Sequence, residues 1–130
     1  MKKILIVDDY EDIHDILTFV LQDDQIEVKC LASPALLLNY LQEWKPDLLM
    51  LDVHLGEADG RIICSELKVD PFYSHIKVAL MSAMADGWRD VPCKADAKID
   101  KPFEIDEVRA VILGLLNLKS STRQTELSVR

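Results

Sequence analysis

Short apolar runs alternate with segments of helical period along most of the chain. Residues 4–7 form a continuous, partly β-branched run, which is typical of a strand buried on both faces of a sheet. Similar runs predict strands at residues 48–51 and 76–81, and a short strand around Ile99. Residues 27–31 show some alternation instead, which indicates a strand nearer the sheet edge. The pattern therefore predicts five strands.

The segments between these strands carry helix signals. After the first strand, apolar side chains recur at helical spacing, at Ile13, Ile16, Leu17, Val20 and Leu21. Ser33 followed by Pro34 predicts the start of a second helix, and Asp59 with Gly60 predicts a turn before a third. Residues 105–116 repeat the amphipathic spacing. Because strands and helices alternate, we expect one doubly wound parallel α/β sheet with helices on both faces.

The segment between the fourth and fifth predicted strands is unusual. Gly87 and Pro92 are poor residues for a helix interior, so we expect a short or distorted fourth helix there. Met84, Trp88 and Val91 are its large apolar residues. We expect Trp88 to anchor the segment in the core, and the alternative that it forms an exposed partner surface stays open.

Length and composition limit the classes of protein to consider. The 130 residues fit a single domain, which we place at residues 1–118, followed by a flexible tail at 119–130. The net charge of -8 argues against direct contact with nucleic acid, whose phosphates require a basic surface. Without a long apolar run or a secretory cleavage site, the chain is expected to be cytoplasmic and not inserted in a membrane.

The cysteines and histidines indicate no familiar metal motif. Cys30, Cys64 and Cys93 are odd in number and widely separated, and without a C-x-x-C pair they predict neither a disulfide framework nor a zinc site. This usage is typical of a reducing compartment. His14 and His75 are expected at the surface, and no two histidines have the spacing of metal ligands.

The carboxyl ends of the predicted strands collect residues that can carry chemistry. Asp8 and Asp9 follow the first strand, Asp52 the third, Ser82 the fourth and Lys101 the fifth. In an open parallel sheet these ends border one crevice, where ligands bind. Each residue alone has an ordinary explanation, because paired acids often begin a helix, a serine often caps a turn and a lysine is usually solvated. Their joint placement favours a functional site.

Three carboxylates in one crevice repel one another, by about 4 kcal/mol for two unit charges ~4 Å apart at an effective dielectric of ~20. A hard divalent cation relieves this repulsion, and oxygen ligands favour Mg²⁺ or Ca²⁺. Mg²⁺ suits phosphoryl transfer better, because it keeps positions for water and phosphoryl oxygens. Asp52 can then act as a nucleophile and form an acyl phosphate, Lys101 can pair with phosphoryl oxygens, and Ser82 can donate a hydrogen bond to one.

Four segments make this interpretation more specific. They read ILIVDD at residues 4–9, LLMLDVHLGEADG at 48–60, MSA at 81–83 and KPF at 101–103. Together they resemble the signature of response-regulator receiver domains of two-component signal transduction, and the likeness covers residues 2–118. The resemblance implies a flavodoxin-like fold with strand order 2-1-3-4-5. It also implies a phosphorylated switch that binds partners or relays phosphate, and that catalyses only its own phosphorylation and dephosphorylation.

Carried onto this sequence, the resemblance implies a role for each acidic residue of the crevice. Asp52 would accept a phosphoryl group from a histidine kinase or a histidine phosphotransfer protein. Asp9 and Asp52 would bind Mg²⁺ directly and Asp8 would bind it through water, while the backbone carbonyl of His54 would be a further metal ligand.

The same resemblance implies roles beyond the fourth and fifth strands. Ser82 would be the switch hydroxyl that moves onto the phosphoryl group, and Lys101 would hold a phosphoryl oxygen, with a cis peptide bond before Pro102. Two positions depart from the family's pattern. Gly56 stands where receivers commonly have proline, which predicts a looser loop. Lys98 stands where they have Tyr or Phe, so the inward movement of an aromatic ring is not expected here.

Several alternatives stay open. The His54 side chain is either an ordinary loop residue or one that affects the lifetime of the phosphoryl group. The chain is either stand-alone or a piece of a larger regulator or hybrid kinase. Its output partner is unknown, and formation of a homodimer stays open. A receiver fold that binds partners without phosphorylation is a second functional class. A phosphohydrolase with an Asp nucleophile is disfavoured, because such enzymes place a second Asp at the position of His54, and the absence of G-x-G-x-x-G after the first strand excludes a dinucleotide-binding domain.

Overall fold

The five apolar runs form one parallel sheet in a computed structural model of the protein, which describes residues 1–83 and 93–119. In chain order its strands are β1 (Lys2–Val7), β2 (Ile26–Leu31), β3 (Leu48–Asp52), β4 (Lys77–Ser82) and β5 (Ala97–Asp100). They lie in the order β2-β1-β3-β4-β5, and all neighbours are parallel. The predicted doubly wound α/β fold and its strand order are therefore confirmed.

Helices cover both faces of this sheet. In the described part of the chain they are α1 (Glu11–Val20), α2 (Leu37–Glu43), α3 (Gly60–Val69) and α4 (Ile105–Leu115). Buried side chains of α1 and α4 share one apolar cluster with the sheet, and those of α2 and α3 share the other. The arrangement thus has two core layers, one on each face of the sheet.

Strand β1 contributes to both layers. Ile4 and Ile6 pack in the cluster of α1 and α4, whereas Leu5 and Val7 pack in the cluster of α2 and α3. Successive side chains of a strand point to opposite faces, so a strand between two helical layers must be apolar at every position. All four side chains are fully buried, as the continuous apolar run predicted. By contrast β2 lies at the edge and is mostly half-buried.

Two details of the helical pattern differ from the prediction. Ser33 caps a turn of 3-10 helix at Pro34–Leu36, where its hydroxyl oxygen accepts a hydrogen bond from the Ala35 N–H at 3.3 Å, and α2 begins only at Leu37. Ile16 was expected in the apolar stripe but is 42% exposed. The cause is helical geometry: the sheet contacts the side of α1 that carries Leu17 and Val20, and Ile16 is rotated away from it.

Three predictions fall outside the described residues. The distortion of a fourth helix by Gly87 and Pro92 and the position of Trp88 concern residues 84–92, and the predicted tail lies almost wholly at residues 120–130. Within the described ranges, no helix has the length and apolar character that crossing a membrane would require.

Candidate functional site

The three predicted acidic residues meet at the carboxyl edge of the sheet. Asp8 directly follows β1 and Asp52 ends β3, and these strands are neighbours with Val7 paired to Leu51. Carboxylate oxygens of Asp8, Asp9 and Asp52 all lie within 4.8 Å of one another. Asp8 and Asp52 are buried, whereas Asp9 is exposed. The group is therefore open to solvent on the side of Asp9.

Lys101 joins this group from β5. Its ammonium Nζ lies 2.5 Å from Asp8 Oδ2 and 3.4 Å from Asp52 Oδ1. The backbone N–H of Lys101 donates a hydrogen bond to the Ser82 carbonyl at 2.8 Å, so the end of β4 fixes where the lysine leaves the sheet. The Lys101–Pro102 peptide bond is cis, as the resemblance implied.

Ser82 lies at the same edge. It is the last residue of β4, is 1% exposed and is paired in register with Asp100 of β5. Its neighbour Met81 pairs with Asp52, so Ser82 stands one position beyond the acidic group on the adjacent strand. The structure thus brings the five predicted residues of the crevice to one edge.

The electrostatics of the group are unfavourable for Asp52. Burial raises the pKa of the Asp52 carboxyl above its ordinary value, and the neighbouring Asp8 charge raises it further. The Lys101 ammonium lowers the same pKa through its charge and its hydrogen bond, but does not fully offset those effects. One lysine compensates one of three carboxylate charges, so the arrangement favours a divalent cation with oxygen ligands.

His54 follows Asp52 in a short hairpin. His54–Leu55 pairs in an antiparallel way with Ala58–Asp59, and the His54 side chain is exposed. Gly56 begins the two-residue turn with φ of +63°. Glycine at this position is typical of hairpin turns of type II′, whereas proline is locked near φ of about −65° and could not adopt it. Gly56 therefore supports a defined turn in this chain.

Gly60 is a residue whose importance the sequence did not reveal. It begins α3 directly behind Asp52, and its N–H donates to the Val53 carbonyl at 2.8 Å. A Cβ atom at Gly60 would lie 2.2 Å from the backbone oxygen of Asp52, far closer than atoms can approach. The sequence indicated only a turn here, because a close approach between backbone segments leaves no hydrophobic pattern.

His14 was predicted at the surface, and this prediction is wrong. It is half-buried in α1, and its ring N–H at Nε2 donates to the backbone carbonyl of Asp8 across 2.6 Å. The first turn of α1 faces back over the end of β1, which brings the imidazole to the acidic residues. His75 is exposed, as predicted.

Asp96 fixes the chain that leads into β5, and sequence reasoning did not single it out. One of its carboxylate oxygens accepts hydrogen bonds from Lys68 Nζ at 2.7 Å and from the Val78 N–H at 2.8 Å. Burial alone would raise the pKa of this carboxyl, but the hydrogen bonds from Lys68 and Val78 outweigh it and hold the pKa below its ordinary value. Lys98, two residues on, is exposed, in keeping with the cost of burying its charge.

Comparison with known proteins is consistent across sequence and structure. Residues 4–113 match the family model described as the response regulator receiver domain. The chain is 32% identical over 123 residues to a protein of Synechocystis sp. called DNA-binding dual master transcriptional regulator RpaA, covering 89% of this chain and 49% of that protein. It spans about half the length of the curated relatives it matches, which are covered to 49% and 48%.

Solved structures give the same likeness. The signal receiver domain of a DNA-binding response regulator from Colwellia psychrerythraea is similar with a TM-score of 0.81 and 28% identity, over 90% of this chain and 99% of that one. The signal receiver domain of a histidine kinase from Syntrophus aciditrophicus is similar with a TM-score of 0.81 and 26% identity, over 94% of this chain and 96% of that one.

Proposed function

Because this chain belongs to the response regulator receiver domain family, we propose that it is a signalling switch controlled by phosphorylation of Asp52. Residues 1–118 form the proposed receiver unit, and the phosphoryl donor is a histidine kinase or a histidine phosphotransfer protein. The observation that carries the proposal is the meeting of carboxylate oxygens from Asp8, Asp9 and Asp52 within 4.8 Å, with the Lys101 ammonium between two of them.

Asp52 is the nucleophile in this proposal. A carboxylate oxygen of Asp52 attacks the phosphorus atom of the donor's phosphohistidine, and a P–O bond forms as the P–N bond breaks and the histidine leaves. The product is an acyl phosphate on Asp52. The position of Asp52 at the end of β3, only 4% exposed, supports this role because surrounding side chains hold the carboxylate in place.

The acidic group suits a divalent cation, for which Mg²⁺ is proposed. When bound, Mg²⁺ would neutralise negative charge on the carboxylates and on the phosphoryl oxygens. Asp9 and Asp52 are the proposed direct ligands, Asp8 would act through water, and the His54 backbone carbonyl would add a further oxygen. The exposure of Asp9 supports this assignment, because Mg²⁺ retains several waters in most protein sites.

Lys101 and Ser82 are the proposed contacts of the phosphoryl group. Lys101 already points between Asp8 and Asp52, so a small movement of its ammonium would bring it to a phosphoryl oxygen. Ser82 would donate its hydroxyl proton in a hydrogen bond to another phosphoryl oxygen. Such preorganised donors stabilise the charge of the transferred group.

The proposed output is partner binding or relay of the phosphoryl group, without catalysis on a separate substrate. The DNA binding named for RpaA belongs to a protein about twice as long as the region matched here. A cytoplasmic location is proposed, because the three free cysteines suit a reducing compartment.

Phosphorylation of the purified chain tests the proposal. The protein is incubated with acetyl phosphate with and without Mg²⁺, and its intact mass is measured. We expect a gain of one phosphoryl group that requires Mg²⁺ and disappears in Asp52→Asn. Asp24→Asn makes the same chemical change at an exposed residue outside the acidic group and should leave the gain intact.

Two outcomes would contradict this function. Phosphorylation that persists in Asp52→Asn would place the acceptor elsewhere. Failure of folded wild type to form any Mg²⁺-dependent adduct, either with acetyl phosphate or with beryllofluoride, would favour the partner-binding alternative.

A further inference from the structure

Two of the three cysteines lie together although their spacing in the sequence gives no sign of it. Cys64 is in the middle of α3 and is fully buried. Cys93 precedes β5 and is half-buried, and it packs against the apolar cluster that contains Cys64. Lys68 of α3 binds Asp96, three residues after Cys93, at 2.7 Å, so the two segments that carry these cysteines are in contact. Burial raises the pKa of the Cys64 thiol, and the nearby Cys93 raises it further. Two free thiols from distant parts of the chain therefore lie near each other on the same face of the sheet.

The surroundings of this thiol pair do not favour a metal site. Metals bound by cysteine usually have three or four protein ligands. In residues 1–83 and 93–119, the acidic group of Asp8, Asp9 and Asp52 is the one cluster in which three potential metal ligands come close together. Cys64 and Cys93 thus have each other and no third ligand of that kind, an arrangement that suits sulfur–sulfur chemistry better.

We propose that Cys64 and Cys93 form an intramolecular disulfide when the protein meets a hydroperoxide such as hydrogen peroxide. The pair would then be a reversible oxidation site on the side of the sheet covered by α2 and α3. Formation of this bond does not require phosphorylation of Asp52, since neither thiol belongs to the acidic group.

The environments of the two thiols assign their roles. Burial raises the pKa of the Cys64 thiol to about 11, so this sulfur stays protonated and unreactive toward peroxide in solution. Cys93 is partly exposed and can be reached from solvent. Cys93 is therefore the thiol that reacts first, and Cys64 is the resolving thiol.

The oxidation proceeds in two balanced steps. The Cys93 sulfur attacks one oxygen of hydrogen peroxide, the O–O bond breaks, and a sulfenic acid and one water form. The Cys64 sulfur then attacks the Cys93 sulfur, the S–S bond forms and the S–O bond breaks. The Cys64 proton leaves with the departing hydroxide as a second water. One peroxide is reduced for each pair of thiols oxidised, and an added dithiol reverses the change.

The disulfide would reinforce an existing contact between α3 and the segment that leads into β5. Lys68 of α3 already binds Asp96, which also pairs with the backbone of Val78 in β4. A disulfide between Cys64 and Cys93 would connect the same two segments covalently, and the closed loop would contain β4 with Ser82. Oxidation would thereby restrict the chain on both sides of the strand that carries this serine.

Peptide mapping tests the proposal directly. The full chain is treated with hydrogen peroxide, remaining thiols are alkylated, and the protein is digested with trypsin. We expect peptides 62–68 and 90–94 to be joined by a bond that dithiothreitol cleaves, with an intact-chain mass lower by two hydrogens. Cys30→Ser should leave this product unchanged, because Cys30 is outside the pair.

Variants of the pair itself decide the outcome. Cys93→Ser should abolish the loss of two hydrogens, and Cys64→Ala, which keeps a small apolar side chain in the core, should leave Cys93 as a sulfenic or sulfinic acid. Oxidation of wild type only to cysteine acids, or a cross-link that instead requires Cys30, would overturn the proposal.

Discussion

The ammonium group of Lys101 lies 2.5 Å from Asp8 Oδ2 and 3.4 Å from Asp52 Oδ1, so one positive charge bridges the ends of β1 and β3. Lys101 itself follows β5. The side chains of Lys101, Asp8 and Asp52 are 11%, 0% and 6% exposed. Water could therefore do little to solvate the charges that remain if one of them were removed. The contact therefore connects the electrostatics of the acidic group to the stability of the fold.

Lys101→Met should destabilise the protein, because it leaves Asp8 and Asp52 buried without their cation. Removing one partner of a buried ion pair costs about 3–5 kcal/mol, and urea unfolding would measure the change in the free energy of unfolding. Added Mg²⁺ should raise the free energy of unfolding by a larger amount in Lys101→Met than in wild type. Lys94→Met, at an exposed lysine, should change stability by less than about 0.5 kcal/mol. Equal stability of the two variants would contradict the bridging role of Lys101.

Gly60→Ala should also be destabilising, because the new methyl group would lie 2.2 Å from the Asp52 backbone oxygen. Overpacking of this kind costs about 1–3 kcal/mol, and the start of α3 must move away from Asp52 to relieve it. Gly114→Ala is the matched control, since nothing lies within 4 Å of a Cβ at this helical glycine. It should stabilise by roughly 0.5–1 kcal/mol. In thermal unfolding, the melting temperature should fall for Gly60→Ala and rise for Gly114→Ala. An unchanged melting temperature in Gly60→Ala would refute the close approach of Gly60 to the Asp52 backbone.

Gly56→Ala should cost about 1–2 kcal/mol, because residues with a Cβ are strained at the positive φ of +63° found there. The second turn residue, Glu57, has no such requirement, and Glu57→Ala should be close to neutral in the same denaturant titration. Gly56→Pro should cost more than Gly56→Ala, since the proline ring excludes positive φ altogether. Equal effects of Gly56→Ala and Glu57→Ala would show that the hairpin turn is unimportant.

The Asp96 carboxylate should stabilise the protein less in acid than at neutral pH. Its folded-state pKa lies below the unfolded value of about 3.9. Its contribution is therefore fully present above that pH and is lost as the pH falls through the folded-state pKa. The stability difference between wild type and Asp96→Asn should shrink as the pH falls from about 5 toward and below the folded-state pKa. Asp24→Asn makes the same chemical change at an exposed aspartate and serves as the control, and urea midpoints across this range would measure both variants.

The sequence predicted what depends on local pattern and on the rules of parallel sheets. The run at residues 4–7 had to be a central strand, and parallel strands had to bring Asp8 and Asp52 to the same edge. What it missed depends on side-chain direction and on distant contacts. The bond from His14 to Asp8 requires knowing how α1 leans over β1, and the proximity of Cys64 to Cys93 depends on how α3 packs against the segment that leads into β5. Neither of these contacts leaves a periodic pattern in the sequence.

The division of β1 between two core layers has a consequence for how the acidic group forms during folding. Ile4 and Ile6 are buried only when α1 and α4 cover one face of the sheet, and Leu5 and Val7 only when α2 and α3 cover the other. Asp8 is the next residue after this strand. Neither layer can close before this strand is inserted between β2 and β3, and each of those pairings joins residues more than twenty positions apart. Assembly of the protein's interior and formation of the acidic group should therefore be a single cooperative event, so that partly folded chains would not present the proposed site for Mg²⁺ and a phosphoryl donor.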